Sequence, residues 1–301
     1  MNRYKPEGIN NIQDKISKSR LQQAYNRGDI LEGTVYKIDK YERLYIQTED
    51  NSIAIINKED VAYNLDGKNT KDCEIYSRVG KRVKFKVKSI EDNITYCSRL
   101  ETQKECYDNY ISKMKPGDII SVRISHVDKT SIFCDIGCGI YAILPFENVT
   151  VAHISNIIND KTFNGNINVV VKHNRNNKIV LSHKELLGNW EDNIADLQKG
   201  DSLIGYVTDI KEYGIFVYLN QNIYGLAELE PRLNINIGDK VLVYLRHIDS
   251  DKLKINLYVR TVLDKNTHDK LKFNYKINKK HISSWKFSPE LCNKTIETRF
   301  E

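Results

Sequence analysis

The sequence has no apolar stretch that approaches the roughly eighteen consecutive residues a membrane-spanning helix needs. Its first residues, from Met1 to Gly8, also lack the apolar core of a signal peptide. From these two absences we expect a cytoplasmic protein that contacts no membrane.

Metal-ligand spacing is missing as well. The six cysteines include no Cys-x-x-Cys pair, which is the spacing of zinc ligands and of thioredoxin-like redox sites. The closest pair, Cys134 and Cys138, flanks residues typical of a strand end and a turn. We therefore expect buried, reduced thiols and neither a metal nor another cofactor.

Linear catalytic motifs are absent too. The sequence contains no nucleophile elbow, no phosphate loop and no clear acid and base pair, and its seven histidines share no motif. It therefore predicts a protein that is not an enzyme and has no small-molecule substrate, although residues distant in sequence can still assemble a site in space.

The middle of the chain has no excess of positive charge. Residues 1–27 carry six Lys and Arg against two acids, and residues 263–301 carry nine against five, so each end has a net charge of +4 and the interior is close to neutral within the total of +6. A protein that neutralised phosphates across its whole face would spread its basic residues more widely. Affinity for a nucleic acid would have to come partly from other contacts.

A repeated strand opening divides the chain into three similar units. Each unit begins with a Gly-Asp pair before alternating or β-branched residues, at Gly28, Gly117 and Gly200, and each contains a second turn glycine further on. Each ends in a fifth predicted strand after a turn rich in Asp or Asn. Five short strands with a long connection before the fourth fit an OB barrel, because closure removes sheet edges.

Between the units the hydrophobic period changes from two to about 3.6, which predicts connecting helices. We expect an all-β-dominated protein with three tandem five-stranded OB barrels joined by short helices. The predicted domains are a basic helical arm (1–27), a first barrel (28–100), a linker helix (101–115), a second barrel (116–184), a linker helix (185–198), a third barrel (199–260) and a basic aromatic extension (261–301).

The C-terminal extension contains two alternating runs, Leu271 to Ile277 and His281 to Phe287, joined by Asn278-Lys279-Lys280. This pattern predicts a β-hairpin in which lysines and aromatic residues are mixed. We expect the hairpin to extend the surface of the third barrel.

The third unit reads Tyr213-Gly214-Ile215-Phe216-Val217, followed by Gly225-Leu226. It resembles the S-one RNA-binding domain, whose hallmark is an aromatic-Gly-x-Phe-Val strand followed by Gly-Leu. The resemblance covers roughly residues 20 to 260, and the stretch 181–191 is similar to inter-domain helices of ribosomal S-one relatives in low-GC Gram-positive bacteria. It implies single-stranded RNA or mRNA, and the small ribosomal subunit, as partners.

In the S-one family, RNA lies across the second and third strands. Carried over to the third unit, the resemblance places the two aromatic contacts on Tyr213 and Phe216, the polar contact on Glu228, and the late acidic and basic positions on Asp249 and Lys254. Glu228 departs from the usual histidine, and a carboxylate repels phosphate. The nearby cation Lys211 is also a candidate contact.

Independently of the family, Gly214 permits a bend that could bring Tyr213 and Phe216 onto one surface despite the two-residue alternation of a strand. Bases that stack on such rings contribute about 1 to 3 kcal/mol each without demanding a sequence. The alternative is that Phe216 fills the barrel core.

The other units match less completely. In the second unit, Phe133 aligns with Phe216, while Lys129, Arg175 and Lys178 supply cations. In the first unit, Tyr41 matches Tyr213, but Arg43 and Leu44 replace the Ile and Phe of the hallmark. The alternately basic run 81–88 of the first unit is interpreted either as a solvated sheet edge, which we favour, or as a phosphate track.

Two functions remain open from the sequence. The first is a translation-associated protein that binds single-stranded mRNA. The alternative is a ribosome- or transcription-associated scaffold whose OB barrels hold other proteins, because OB surfaces serve both purposes.

Overall fold

The computed structural model describes residues 3–9, 15–63, 71–175, 178–267 and 269–301. Strands dominate these ranges and form three closed barrels and one two-stranded sheet. This architecture confirms the predicted fold class. None of the helices in the described ranges has the length and apolar character that crossing a bilayer requires.

Each barrel contains five strands. The first is built from β1 (Leu31–Ile38), β2 (Leu44–Ile46), β3 (Ile53–Ile56), β4 (Arg82–Glu91) and β5 (Ile94–Ser98). The second comprises β6 (Ile119–Val127), β7 (Ser131–Gly137), β8 (Ile140–Pro145), β9 (Asn166–Arg175) and β10 (Lys178–Ser182). The third comprises β11 (Ser202–Lys211), β12 (Gly214–Asn220), β13 (Ile223–Ala227), β14 (Lys240–Asp249) and β15 (Lys254–Asp264).

The three barrels share one strand order. In each, the first strand lies between the second and the fourth, and the fifth strand lies between the third and the fourth. The third and fifth strands pair in parallel, as β3 does with β5, β8 with β10 and β13 with β15. Because the sheets are closed, alternate residues of every strand face a filled interior.

In the part of the chain that the structure describes, four α-helices accompany the barrels: α1 (Lys18–Arg27), α2 (Asp72–Tyr76), α3 (Arg99–Asn109) and α4 (Trp190–Ile194). Single 3₁₀ turns occupy Lys58–Asp60, Ile111–Lys113, Phe146–Asn148, Ser155–Ile157 and Lys184–Leu187. Helix α1 begins after Ser17, whose hydroxyl caps it, and ends at Gly28 in the left-handed region. Its buried Leu21 and Ala24 join the core of the first barrel.

The helical segments are shorter than the sequence predicts. In the N-terminal arm, residues 3–9 are not helical, and residues 1, 2 and 10–14 lie outside the described ranges. In the linker 185–198, a left-handed Gly188 with φ +86° separates a 3₁₀ turn from the five-residue α4. A glycine in this conformation interrupts the helical hydrogen-bond ladder that the apolar spacing alone would favour.

By contact, the chain divides into two compact units. Unit 1 comprises residues 1–114 and 135–141, and unit 2 comprises residues 115–134 and 142–301. Unit 1 thus holds the first barrel. The third barrel and the C-terminal extension belong wholly to unit 2.

The basic strand β4 of unit 1 is not a solvated edge, so that interpretation was wrong. Because the barrel is closed, β4 pairs with β1 on one side and with β5 on the other. Its lysines meet acids: Lys86 Nζ contacts Glu105, and Lys88 Nζ lies 3.1 Å from Asp60 Oδ2. Lys84 is buried. The charges of Lys86 and Lys88 are compensated within unit 1.

The C-terminal extension forms a two-stranded antiparallel sheet, but with different strands from those predicted. The pair is β16 (Ser284–Lys286) with β17 (Glu297–Arg299). The prediction that residues 271–277 form one arm was wrong, because that segment instead bonds to the second barrel and the second linker. Leu271 N donates to Thr162 O at 2.8 Å, and Lys276 N donates to Leu186 O at 2.9 Å.

The sheet of the extension completes the core of the third barrel instead of only widening its surface. Trp285 and Phe287 belong to the same buried apolar cluster as Val217 and Leu257. The rings of Trp190 and Phe287 meet edge to face, with centroids 6.0 Å apart. The extension is therefore part of the folded body of unit 2.

Because of this packing, we expect Phe287→Ala to destabilise unit 2. Phe287 is 1% exposed, and truncating a buried phenylalanine costs about 3 to 5 kcal/mol of folding free energy. Denaturant unfolding measures the change. The control is Leu291→Ala, because Leu291 lies in the same extension and is 86% exposed. Equal unfolding midpoints for the two variants would show that the extension does not contribute to the core.

A second packing site of the extension surrounds His183. The ring is buried, its Nδ1 donates to Val149 O at 2.9 Å, and its Nε2 accepts from the Tyr275 hydroxyl at 3.4 Å. Phe163, Phe273 and Tyr275 contact it edge to face. Burial lowers the pKa of His183 to about 4.

This lowered pKa predicts an acid-labile unit 2. The unfolded chain takes up a proton on His183 near pH 6.5, whereas the folded chain does so only near pH 4. The contribution of neutral His183 to the folding free energy of unit 2 is therefore fully present above pH 6.5. It falls by about 3 kcal/mol as the pH drops from 6.5 to about 4. Unfolding titrations at several pH values test this expectation. His183→Gln should flatten the pH dependence, while His173→Gln, at an exposed site, should retain it.

Candidate nucleic-acid interface

The outer face of the third barrel presents Phe216. Along β12, Ile215 and Val217 are buried in the barrel core, and Phe216 between them is half-buried and outside that core cluster. The two-residue period of a strand requires this, because neighbours of an inward side chain point outward. The alternative in which Phe216 fills the core does not agree with this placement.

Tyr213 lies in the turn between β11 and β12 and is 68% exposed. Its ring meets that of Phe216 edge to face, with centroids 6.0 Å apart. At the start of β12 the backbone of residue 214 passes close to that of Ala227. A glycine is required there because a Cβ atom would lie 2.6 Å from the Ala227 carbonyl oxygen. The two predicted aromatic residues are thus neighbours on one surface.

Two further rings, which the sequence analysis did not identify, extend this surface. Tyr224 on β13 lies 6.2 Å from Phe216, and His153 lies 6.4 Å from Tyr224, centroid to centroid. We call Tyr213, Phe216, Tyr224 and His153 the ring platform. The alternation of β13 places Tyr224 on the outer face, whereas no local pattern singles out His153.

Charged groups near the platform are largely paired. Lys211 Nζ lies 2.9 Å from Asp209 Oδ2, and this hydrogen bond lowers the pKa of Asp209 and raises that of Lys211. Glu228 is bound by Arg246, whose Nη1 donates to Oε1 at 3.0 Å. The departure from histidine at position 228 therefore comes with a compensating cation.

The late acidic and basic positions meet at the turn between β14 and β15. Asp249 and Lys254 are directly opposite in the strand register, and Lys252 Nζ lies 3.4 Å from Asp249 Oδ2. Lys254 is exposed. It forms no ion pair with any residue in the described ranges, so its charge is available to a ligand.

The second barrel has one ring and several cations. Phe133 is half-buried between the buried Ile132 and Cys134, like Phe216 in the third barrel, and Lys129 is exposed. Arg175 and Lys178 are opposite each other at the turn between β9 and β10. This pair occupies the place of Asp249 and Lys254, so two positive charges meet there.

In the first barrel, the position that corresponds to Phe216 holds an aromatic residue, Tyr45, and not Leu44 as the sequence analysis expected. Val35 pairs with Ile46 and Lys37 with Tyr45, as Val207 pairs with Val217 and Asp209 with Phe216. Tyr45 therefore takes the place of Phe216, and Leu44, which the alignment put there, is buried. The chain from Lys37 to Tyr45 is one residue longer than the chain from Asp209 to Phe216. A shift of one residue along a strand moves each side chain to the other face of the sheet.

Tyr41 of the first barrel is 63% exposed, but cations cover its ring. Lys40 Nζ lies 5.0 Å from the ring centroid and the guanidinium carbon of Arg43 lies 5.3 Å from it. Arg43 also binds Asp39. Desolvation opposes ionisation of Asp39, yet the Arg43 hydrogen bonds outweigh it and lower the pKa of Asp39 to about 2.

In the described ranges, no group of three or more His, Cys, Asp and Glu side chains has the arrangement of a metal site. Cys97, Cys106, Cys134 and Cys138 are buried, Cys73 is exposed and Cys292 is intermediate. The chemistry that this surface offers is stacking and hydrogen bonding by rings, together with cationic contacts.

Several curated proteins are similar to the chain. Small ribosomal subunit protein bS1 of Rickettsia conorii is 25% identical over 53% of the chain and 30% of its own length. The protein of that name from Chlamydia muridarum is 24% identical over 82% of the chain and 45% of its length. The bS1 homolog of Bacillus cereus is 20% identical over 84% of the chain and 67% of its length.

Two clostridial proteins among the similar ones carry a different name. One of them, named 4-hydroxy-3-methylbut-2-enyl diphosphate reductase, comes from Clostridium tetani and is 21% identical over 84% of the chain and 43% of its own length. The chain spans only about a third to a half of the length of most of the relatives described here.

Among solved structures, a multidomain protein with nucleic acid binding domains from Streptococcus pneumoniae is similar at a TM-score of 0.24 and 11% identity, over 77% of this chain and 73% of that one. No family model matches the chain. Three five-stranded barrels in tandem, together with relatives of one name at 20 to 26% identity, place the chain in the family of small ribosomal subunit protein bS1.

Proposed function

We propose that this chain binds single-stranded RNA, including mRNA during translation, and that it does so without catalysis. The observation that carries the proposal is the ring platform, in which four rings follow one another at centroid distances of 6.0 to 6.4 Å across the third barrel and its surroundings in unit 2. Bases of a single strand can stack on successive rings of this kind.

The arrangement of the rings suits stacking by bases. The rings of Tyr213 and Phe216 meet at 86°, so they do not cover each other's faces. Stacking on a ring contributes about 1 to 3 kcal/mol per base and tolerates any sequence, because every base has a π-face. Since Lys211 and Arg246 are tied to acids, stacking is the main source of affinity in this part of the surface.

The names of the relatives support a location and a partner for this binding activity. We propose that the chain acts in the cytoplasm and associates with the small ribosomal subunit, as the names of the bS1 relatives suggest. Binding without turnover agrees with these names better than with the reductase name of the clostridial relatives, which extend well beyond the matched region.

A second candidate function concerns the first barrel. The ring of Tyr41 is covered by Lys40 and Arg43, which leaves less of its face for a base than Tyr213 offers. This observation favours a protein contact for the first barrel, so that part of the chain would act as a scaffold on a ribosome or a transcription complex.

We expect Tyr213→Ala and Phe216→Ala each to weaken binding of an unstructured RNA by about 1 to 3 kcal/mol, because each removes a stacking ring. Folding stability should change little, since neither ring is in the barrel core. Fluorescence titrations and denaturant melts on the same proteins measure both effects. Tyr25→Ala, which removes an exposed ring of α1, is the control. Unchanged RNA affinity in the double variant would favour the scaffold instead.

The salt dependence of RNA binding should be moderate. Each phosphate that a cation neutralises adds about 0.7 to the slope of log affinity against log salt for a single strand. Because most cations around the platform are paired with acids, we expect a slope shallower than about −6. A titration series in increasing potassium chloride measures it. A steeper slope would mean that phosphate contacts dominate and that the stacking account is wrong.

A further inference from the structure

A cavity of about 640 Å³ lies in unit 2 beside the ring platform. Its walls come from five separate parts of the chain: 146–155, 184–190, 222–224, 252–254 and 287–296. Tyr224 and His153 of the platform line it. The cavity is thus continuous with the surface on which bases would stack.

The walls of the cavity are fixed by packing and by one buried amide. Trp190 and Phe287 pack edge to face on one side, and Trp190 Nε1 donates to Ser250 Oγ at 3.0 Å. The side chain of Asn222 accepts from Val151 N at 3.0 Å and donates to Lys184 O at 2.9 Å. Three of the contributing segments are therefore held together without a ligand.

The charge of the lining is strongly positive. Lys184, Lys252, Lys254 and Lys294 line the cavity, against a single acid, Glu147. Lys184 Nζ donates to the Glu147 carbonyl oxygen at 3.2 Å, not to a carboxylate, and burial lowers the pKa of this lysine. Within the described ranges, Lys184, Lys254 and Lys294 form no ion pair. Three lysines of one cavity therefore have no carboxylate at ion-pair distance among the described residues, although Glu147 and Glu185 act on Lys184 from further away.

We propose that this cavity binds one nucleotide of the RNA strand as it leaves the ring platform, with the base beside Tyr224 and a phosphate held by Lys184, Lys254 and Lys294. The inference rests on the proposed RNA binding and adds a phosphate site to it. The volume lies within the 300 to 1,000 Å³ typical of small-ligand pockets. An acidic peptide would satisfy the lysines, but it would make no use of the adjoining row of rings.

The test compares two matched double variants of the full-length chain. Lys184→Ala/Lys294→Ala removes two cavity lysines, and Lys279→Ala/Lys286→Ala removes two exposed lysines of the extension that lie outside the cavity. Both change the net charge equally. Each protein is titrated with an oligouridylate of about 12 nucleotides, within the range of OB site sizes, and with its uncharged methylphosphonate analogue.

We expect the cavity variant to lose affinity for the oligouridylate about tenfold or more, since each lost contact is a charge-assisted hydrogen bond. Its salt slope should become shallower by about 0.7 for each phosphate released. Its affinity for the methylphosphonate analogue should be unchanged, and the extension variant should bind both probes as the wild type does. The single variant Lys294→Ala, at an exposed position, should show a smaller loss and guards against misfolding of the double variant.

Three outcomes would overturn the proposal. Equal losses in both double variants would mean that only net charge matters. A cavity variant that binds RNA normally, beside a Phe216→Ala protein that does not, would remove the phosphate site and leave the platform in place. If the cavity variant binds the oligouridylate normally but loses affinity for an oligoglutamate peptide, the cavity takes an acidic protein segment. The RNA-binding function itself fails only if the wild-type chain does not bind the oligouridylate.

Discussion

Closure of each five-stranded sheet is the constraint on which the rest of this structure depends. The parallel pairing of the third strand with the fifth, as of Leu226 with Asn256, leaves no strand with a free edge. Every strand then has one face toward a filled interior and one toward solvent or a neighbouring segment. The inward positions of Ile215 and Val217 therefore determine that Phe216 faces outward, and the proposed stacking surface depends on the way the core is packed.

The third barrel is also not complete by itself. Its core includes Trp285 and Phe287, which lie more than twenty residues beyond the end of β15. The intervening chain crosses the second barrel, where Tyr275 covers His183. The same arrangement places Phe287, Lys294 and Ile296 along the cavity. Stability and the candidate phosphate site therefore depend on one segment, and a substitution in the extension has to be assessed for both effects.

The fold could be predicted because it depends on patterns between residues that are close in sequence. Turn glycines, a two-residue period and three similar units were sufficient for the three barrels. The sequence left open whether Phe216 faces outward or fills the core, and its placement follows from the burial of its neighbours Ile215 and Val217. The misplacement of Leu44 shows the limit of this reasoning: one additional residue in a turn changes which side chain faces outward, and Tyr45 takes the place instead.

Other features could not be predicted because they depend on distant contacts. Residues 271–277 have a strand pattern, yet their hydrogen-bond partners were decided by the surface available on the second barrel. His153, Lys184 and Lys294 belong to three segments that meet only in the folded chain. No spacing rule within one segment connects them, so the phosphate site had no signal in the sequence.

In the proposed complex, ring stacking and phosphate contacts have different physical effects on a bound strand. A ring accepts any base, so a row of rings alone would hold a strand in many registers and in either direction. A phosphate contact fixes position, because the cations lie at one place relative to the fold. On the platform Lys211 and Arg246 are neutralised by Asp209 and Glu228, whereas Lys184, Lys254 and Lys294 at the cavity form no ion pair within the described residues. The attraction for phosphate is therefore concentrated at the end of the platform marked by Tyr224 and His153. With stacking along the row and a phosphate anchor at one end, the two ends of a bound strand become inequivalent, which gives the complex a defined register without any reading of base sequence.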